Sequence, residues 1–252
     1  MSVGLQIIYE DNHVLGVVKP AGMLSQGDRT GDESALSLAK HHIKEAHDKP
    51  GNVYLGLVHR LDRPVSGVMV FARTSKAASR LSQSFHDRLA EKRYLCVVSG
   101  IVEDDEGELT AHIARAHTRS RITTREGARS KEAVLRYRVL GRREVRETRA
   151  LHPRQRRDDP SMTLIEVLPR TGRHHQIRLQ WSAARHPIRG DLKYGAVTPL
   201  PDKSIALHAA RLRVPHPVRD EIIDLSAPPP SHAPWDRFSS EIAALFAPPG
   251  RE

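Results

Sequence analysis

The chain of 252 residues has one cysteine, Cys96. A single thiol excludes an internal disulfide and any metal site built from several cysteines, and it suits a reducing, cytoplasmic setting. Long apolar runs are missing as well. The longest spans about six residues around Val68–Ala72, far short of the roughly 20 that a membrane helix needs. The opening MSVGLQIIYEDNH has neither a basic leader nor an apolar stretch, so no signal peptide is expected. There is no glycine-rich P-loop and no dinucleotide fingerprint, which excludes the commonest nucleotide-binding readings. The fifteen histidines lack the i, i+4 pair with an adjoining glutamate that marks a zinc helix, so surface or structural roles are expected of most of them. Internal repeats are absent too.

What the chain does have is positive charge. It carries 40 Lys and Arg against 30 Asp and Glu, a net +10, within 38% hydrophobic residues that suit a soluble globular protein. From Arg115 to Arg157 there are fifteen basic residues and four acidic ones, so this segment alone exceeds the net charge of the whole chain. A concentration of this kind suits a polyanion, because each neutralised phosphate releases a condensed counterion. Arginine also offers bidentate phosphate contact. Arg115, Arg119, Arg121, Arg125, Arg129 and Lys131 are the expected RNA-contacting residues; the plain alternative is a solvated basic surface.

Apolar patterning predicts strands at Leu5–Glu10, His13–Lys19, Leu55–Asp62, Gly67–Arg73, Tyr94–Val98, Glu108–Ile113, Lys131–Leu140, Thr163–Leu168, Ala206–Val214 and Glu221–Leu225. It predicts one helix capped by Asp32 with Leu36, Ala39, Ile43 and Ala46 inward. A second helix is capped by Ser75, with Ala78, Leu81, Phe85 and Leu89 on one face. A short helix after Thr171-Gly172 places Ile177, Trp181 and Ala184 together, and Trp235–Phe246 forms a terminal helix. Many strands with few, scattered helices predict an α+β fold with a mixed, largely antiparallel sheet. The expected organisation is one domain over residues 1–226, then a proline-rich linker and C-terminal helix over 227–252.

Two polar islands stand out. In Leu57–Val68 (LVHRLDRPVSGV), Asp62 ends a strand-like run, and strand alternation would put Arg60 on its side. A lone aspartate before Pro64 is ordinarily a turn residue. The second island, Thr171–Arg178 (TGRHHQIR), supplies Arg178, which can hold a carboxylate ionised. Tyr94, after Lys92-Arg93, is either a core aromatic or a ring that stacks on a nucleobase. Cys96 sits in an apolar run and reads as core.

Together these islands resemble the RluA family of RNA pseudouridine synthases, from about Ile7 to Leu225. The matching strings run in order: Tyr9–His13 with Val17–Gly22; His59-Arg60-Leu61-Asp62 with Ser66-Gly67; and Lys92-Arg93-Tyr94-Leu95. Thr171–Arg173 with His175–Arg178 comes next, followed by His186–Asp191 with Lys193-Tyr194-Gly195, then Leu207-His208-Ala209. Val65 departs from the usual threonine, and Leu179-Gln180 stands where Val-His is common. No S4 domain is expected ahead of the opening motif, so RNA affinity is expected of the catalytic domain itself.

The resemblance implies isomerisation of uridine to pseudouridine in structured rRNA or tRNA at a central cleft, by a cytoplasmic monomer without cofactor or metal. It implies that Asp62 is the catalytic residue, as nucleophile or as base in an elimination. Arg178 would keep it ionised, Tyr94 would pack on the target base, Arg60 would fill the space that the base vacates, and Ile177 would wall the pocket. Two other readings are an RNA-binding or chaperone protein of the same fold without turnover, and a hydrolase. The hydrolase wants a second acid near Asp62, and the Thr171–Arg178 string offers none.

Overall fold

Apolar and β-branched residues over the opening segment build an antiparallel hairpin of β1 (Gln6–Glu10) and β2 (Val14–Lys19). The Asp11 carboxylate shapes its turn by accepting the His13 and Val14 N–H groups at 2.8 and 2.7 Å. The computed structural model describes residues 5–116, 119–123, 130–144 and 160–247. The chain forms two compact units, Met1–Lys92 with Ala209–Ala227 and Arg93–His208 with Pro228–Glu252.

In the first unit β2 pairs antiparallel with β4 (Ser66–Ala72), whose seven residues are all buried. A two-residue strand, β3 (Gly56–Leu57), pairs with the end of β4. On β4 also lies β10 (Leu207–Pro215), which belongs to this unit from Ala209 on, and β11 (Ile222–Ser226) pairs with β10. Two helices complete the unit, α1 (Ala35–Ala46) and α2 (Ser75–His86). The expected cap Asp32 is displaced by Ser34, which accepts the Ser37 N–H while the Ser37 hydroxyl accepts the Ser34 N–H, a reciprocal capping box. Asp32 pairs with Arg63 instead, at 2.8 Å. Thr74, one residue before the expected Ser75, caps α2. Leu89 is 57% exposed, because Arg88 turns left-handed (φ 62°) after α2 ends and takes Leu89 off the helical face. Ala46 is exposed as well.

In the second unit the strand order is β5 (Glu91–Ser99, in this unit from Arg93), β9 (Met162–Pro169), β8 (Ser130–Arg143), β6 (Glu106–Ala116) and β7 (Arg119–Thr123). All four neighbouring pairs are antiparallel. Helix α3 (Gln176–Ala183) packs its Leu179 against Ile113 and Ala133 of this sheet. The expected terminal helix divides into a 3₁₀ turn, Trp235–Phe238, and α4 (Ser239–Phe246). Trp235 and Phe238 are buried, and Arg143 holds this segment to β8: its guanidinium lies 4.6 Å over the Phe238 ring and donates to Glu241 at 2.8 Å. The α+β, largely antiparallel architecture expected from the sequence is present. Strand β7 was not expected, and the predicted strand Leu55–Asp62 is reduced to two residues.

Gly67 explains part of the second motif. Its φ is +124°, and a Cβ there would stand 2.3 Å from the Ala209 carbonyl oxygen and 2.5 Å from the Ala209 nitrogen. Only glycine takes this backbone while letting β10 lie so close. Gly67→Ala is therefore expected to destabilise the protein by about 2–3 kcal/mol through strain and overpacking. Urea denaturation of the two proteins measures it.

Candidate active site

Asp62 lies in the segment between β3 and β4, half-buried, with exposed Arg60 two residues earlier. Backbone pairing stops at Leu57, so the strand alternation expected to put Arg60 and Asp62 on one side does not operate here. The reason is His59. Its Nε2 accepts the Val70 N–H at 3.0 Å, so a side chain takes the ladder position that a continuing β3 would fill. The ring stacks on Phe85, with centroids 4.7 Å apart. Burial first, and the Lys92 charge second, push the His59 imidazole down to about 3. It is therefore neutral, and because Nε2 accepts, its proton sits on Nδ1.

The backbone on either side of Asp62 is tied down. Leu61 exchanges two hydrogen bonds with the buried Ser25 hydroxyl, which donates to its carbonyl at 2.7 Å and accepts its N–H at 3.1 Å. The Asp62 carbonyl accepts the Val65 N–H at 3.0 Å, closing a turn through Arg63-Pro64. The Arg63 carbonyl accepts the Gly22 N–H at 2.8 Å and a long bond from Lys19 Nζ at 3.3 Å. Lys19 is fully buried and also donates to the Pro20 and Met23 carbonyls at 2.9 and 2.8 Å. Burial pushes its amine down to about 7; the Asp62 carboxylate acts in the opposite sense and the Arg63 charge in the same one. Lys19, Ser25 and His59 were not assigned roles from the sequence. Lys19 and His59 lie inside motif strings, but nothing in one dimension shows which carbonyl or N–H their side chains reach.

Tyr94, Ile177 and Arg178 belong to the second unit. Tyr94 sits within β5, opposite Val167 of β9, and is half-buried. Ile177 and Arg178 are buried on α3. The Arg178 guanidinium makes a bidentate pair with Asp191, Nε to Oδ2 at 2.7 Å and Nη2 to Oδ1 at 2.8 Å, both residues being buried. It also lies 4.9 Å over the Tyr194 ring, and the Tyr194 hydroxyl hydrogen-bonds His175 Nδ1 at 2.6 Å. Asp191 closes the His186–Asp191 string, where sequence alone gives it no function; it is the carboxylate that Arg178 holds in this unit. The His174 and His175 rings stack at 3.8 Å, and His174 Nδ1 hydrogen-bonds the Ser120 hydroxyl of β7. Among the described residues, no three His, Cys, Asp or Glu side chains are grouped to hold a metal.

The basic segment is less bare than its sequence suggests. Arg136 pairs with Glu108, Arg138 with Glu166, Arg142 with Asp105 and Arg143 with Glu241, at 3.5, 3.1, 2.8 and 2.8 Å. All four acids lie outside Arg115–Arg157 and reach it across strands or from the C-terminal segment. Arg121 and Lys131 are exposed, on β7 and β8. Arg115 and Arg119 lie on β6 and β7, with Arg115 opposite Ser120 and Arg119 opposite Ala116. Arg125 and Arg129 lie outside the described residues. Cys96 is buried in β5 and burial pushes its thiol up, as a core residue requires.

His59 gives this site a measurable signature. Its folded-state value, about 3, lies below the ordinary 6.5, so between these two the unfolded chain binds the extra proton. Its contribution to stability is complete above pH 6.5 and is lost as pH falls toward 3. His59→Gln keeps an acceptor for the Val70 N–H and removes the titration. Urea midpoints taken between pH 7 and pH 4 are expected to fall less steeply for the variant than for the parent; identical slopes would refute the assignment.

Comparison with known proteins agrees with the motif reading. A family model for RNA pseudouridylate synthase matches residues 13–183. A ribosomal large subunit pseudouridine synthase D from Xylella fastidiosa is 36% identical over 242 residues, covering 90% of this chain and 67% of the relative. A tRNA pseudouridine synthase C from Vibrio parahaemolyticus is 32% identical over 237 residues, covering 89% of this chain and 90% of the relative. The solved structure of human RNA pseudouridylate synthase domain containing 1 shares the fold at a TM-score of 0.70, with 24% identity, covering 100% of this chain and 99% of that one. The chain spans between 57% and 67% of the length of three curated relatives. With a family model matched over most of its length and relatives more than 30% identical, this chain belongs to the RNA pseudouridylate synthase family.

Proposed function

We propose that the protein converts specific uridines in structured RNA to pseudouridine, with Asp62 as the catalytic residue. The observation that carries this is the Asp62 loop itself: a half-buried carboxylate whose neighbours on both sides are clamped, in the field of a buried lysine. Such rigidity is what a reacting group needs, because misplacement is costly in rate. The reaction breaks the bond between uracil N1 and ribose C1′ and joins C1′ to C5. The C5 proton is then lost and N1 ends protonated. Asp62 acts on the sugar as nucleophile or base. Tyr94 packs on the base and assists the final proton transfer. Arg178, held in place by Asp191, is the supporting cation of the active site. Arg60 occupies the stack position that the flipped base leaves, and Ile177 contributes apolar wall.

The substrate is rRNA or tRNA, the two RNA classes in the names of the relatives. The isomerisation moves no electrons to or from an external partner, so the reading includes neither cofactor nor metal, and it takes the protein as a cytoplasmic monomer. Pseudouridine mapping of total RNA from cells with and without this protein identifies the target. Asp62→Asn is expected to abolish tritium release from [5-³H]uridine-labelled RNA while leaving folding and RNA binding close to parental. Retained turnover in that variant would remove the mechanism.

Phosphate contact is proposed for Arg115, Arg119, Arg121, Arg125, Arg129 and Lys131. This rests on the sequence concentration of charge, and for Arg121 and Lys131 also on exposure. Replacing Arg119, Arg121 and Arg125 is expected to weaken RNA binding and to flatten its dependence on salt, by about 0.7–0.9 in log–log slope for each phosphate lost. The apparent Michaelis constant should rise more than turnover falls. Filter binding of one tRNA at several salt concentrations measures this, and an unchanged slope would exclude these residues.

A further inference from the structure

We infer that the buried hydroxyl of Ser25 is a positioning residue for Asp62, setting the rate of the chemical step without touching RNA. The inference rests on the catalytic reading of Asp62. One oxygen, Ser25 Oγ, fixes both backbone groups of Leu61, donating to the carbonyl at 2.7 Å and accepting from the N–H at 3.1 Å. The Leu61 carbonyl lies in the plane of the peptide that ends at the Asp62 Cα, so anchoring that oxygen fixes where the Asp62 side chain starts. Because the Asp62 and Arg63 carbonyls are also engaged, three successive peptide planes are held. Ser25 is the only member of this set that reaches the residue before Asp62.

Ser25 is itself held. The Leu24 and Ser25 carbonyls accept the Ala35 and Leu36 N–H groups at the start of α1, at 2.8 and 3.2 Å. Its Oγ also lies 3.6 Å from Met69 Sδ on β4. The position of Asp62 is thus referred, through one hydroxyl, to a helix start and a buried strand. At 6% exposure an apolar side chain would ordinarily suit this position. The hydroxyl answers a specific need, since without it two buried polar groups of a non-repetitive segment lose their partner. A purely structural serine would lower stability and leave the rate per folded molecule alone. A positioning serine lowers that rate while RNA affinity stays fixed.

The test uses the full chain and total RNA labelled with [5-³H]uridine, prepared from cells lacking the protein, under single-turnover conditions with enzyme in excess. Ser25→Ala is expected to slow the saturated rate about 10- to 100-fold. The enzyme concentration giving half-maximal rate should stay within about twofold, because RNA contacts are intact. Ser25→Thr, which keeps the hydroxyl, should recover most of the rate. Thr74→Ala, which removes the α2 cap and touches nothing in the Asp62 loop, serves as a control of lowered melting temperature and parental rate. Equal slowing in Ser25→Ala and Thr74→Ala, or equal loss in Ser25→Ala and Ser25→Thr, would overturn the inference. A parental rate in Ser25→Ala beside an inert Asp62→Asn would remove the role of Ser25 alone. Full turnover in Asp62→Asn would remove the catalytic reading, and the role of Ser25 with it.

Discussion

The Lys19 side chain is fully buried at the end of β2, where an ammonium costs several kcal/mol unless its donors find acceptors. It has three donors and meets three carbonyls, those of Pro20, Met23 and Arg63. Two of them come from the chain just after β2, the third from the segment that carries Asp62, so these stretches cannot drift apart without stranding a charge. Gly22 meeting Arg63 and Ser25 meeting Leu61 follow from that approach. Burial brings the amine down to about 7 even with the Asp62 carboxylate opposing it, so near neutrality its charge is finely balanced. A carboxylate lost at 62 is therefore felt at 19.

Charge in the second unit teaches a different lesson. A one-dimensional window sees Arg136, Arg138, Arg142 and Arg143 as a bare stripe, but the fold brings them acids from β6, β9, the turn before β6 and α4. Glu166, buried between Arg93 and Arg138, is the extreme case: a single carboxylate that two arginines keep company. Such pairs align neighbouring strands and contribute little to attracting a polyanion. Positive field toward solvent then depends more on residues such as Arg121 and Lys131.

Much of the fold was legible in the sequence. Runs of apolar and β-branched residues located nine of the strands within about three residues and a tenth only in part, because such residues on a pleated surface leave a strong imprint. Strand β7 escaped because its five residues, RSRIT, carry only one apolar position. Helix caps slipped by one or two residues, since Asp32, Ser34 and Ser75 all look like caps until a partner N–H is known. The Asp62 motif was legible as a string, but the way it is held was not. Ser25 and Leu61 are 36 residues apart and meet through backbone atoms, which carry no sequence signal. The shortened β3 has the same origin: Leu55–Asp62 reads as a strand, and a histidine side chain ends it.

The first unit is discontinuous: Met1–Lys92 is completed by Ala209–Ala227, after more than a hundred intervening residues. Gly67 makes its close approach to Ala209, so β4 is not covered on that side until β10 exists. As the chain leaves a ribosome, the Asp62 segment is therefore made early and enclosed late. Most of the second unit is synthesised before the first can close, and the Trp235–Phe246 segment that docks on β8 is made after both. Neither unit is one contiguous stretch of chain, so nascent protein acquires the finished Asp62 environment only once Ala209–Ala227 has been made.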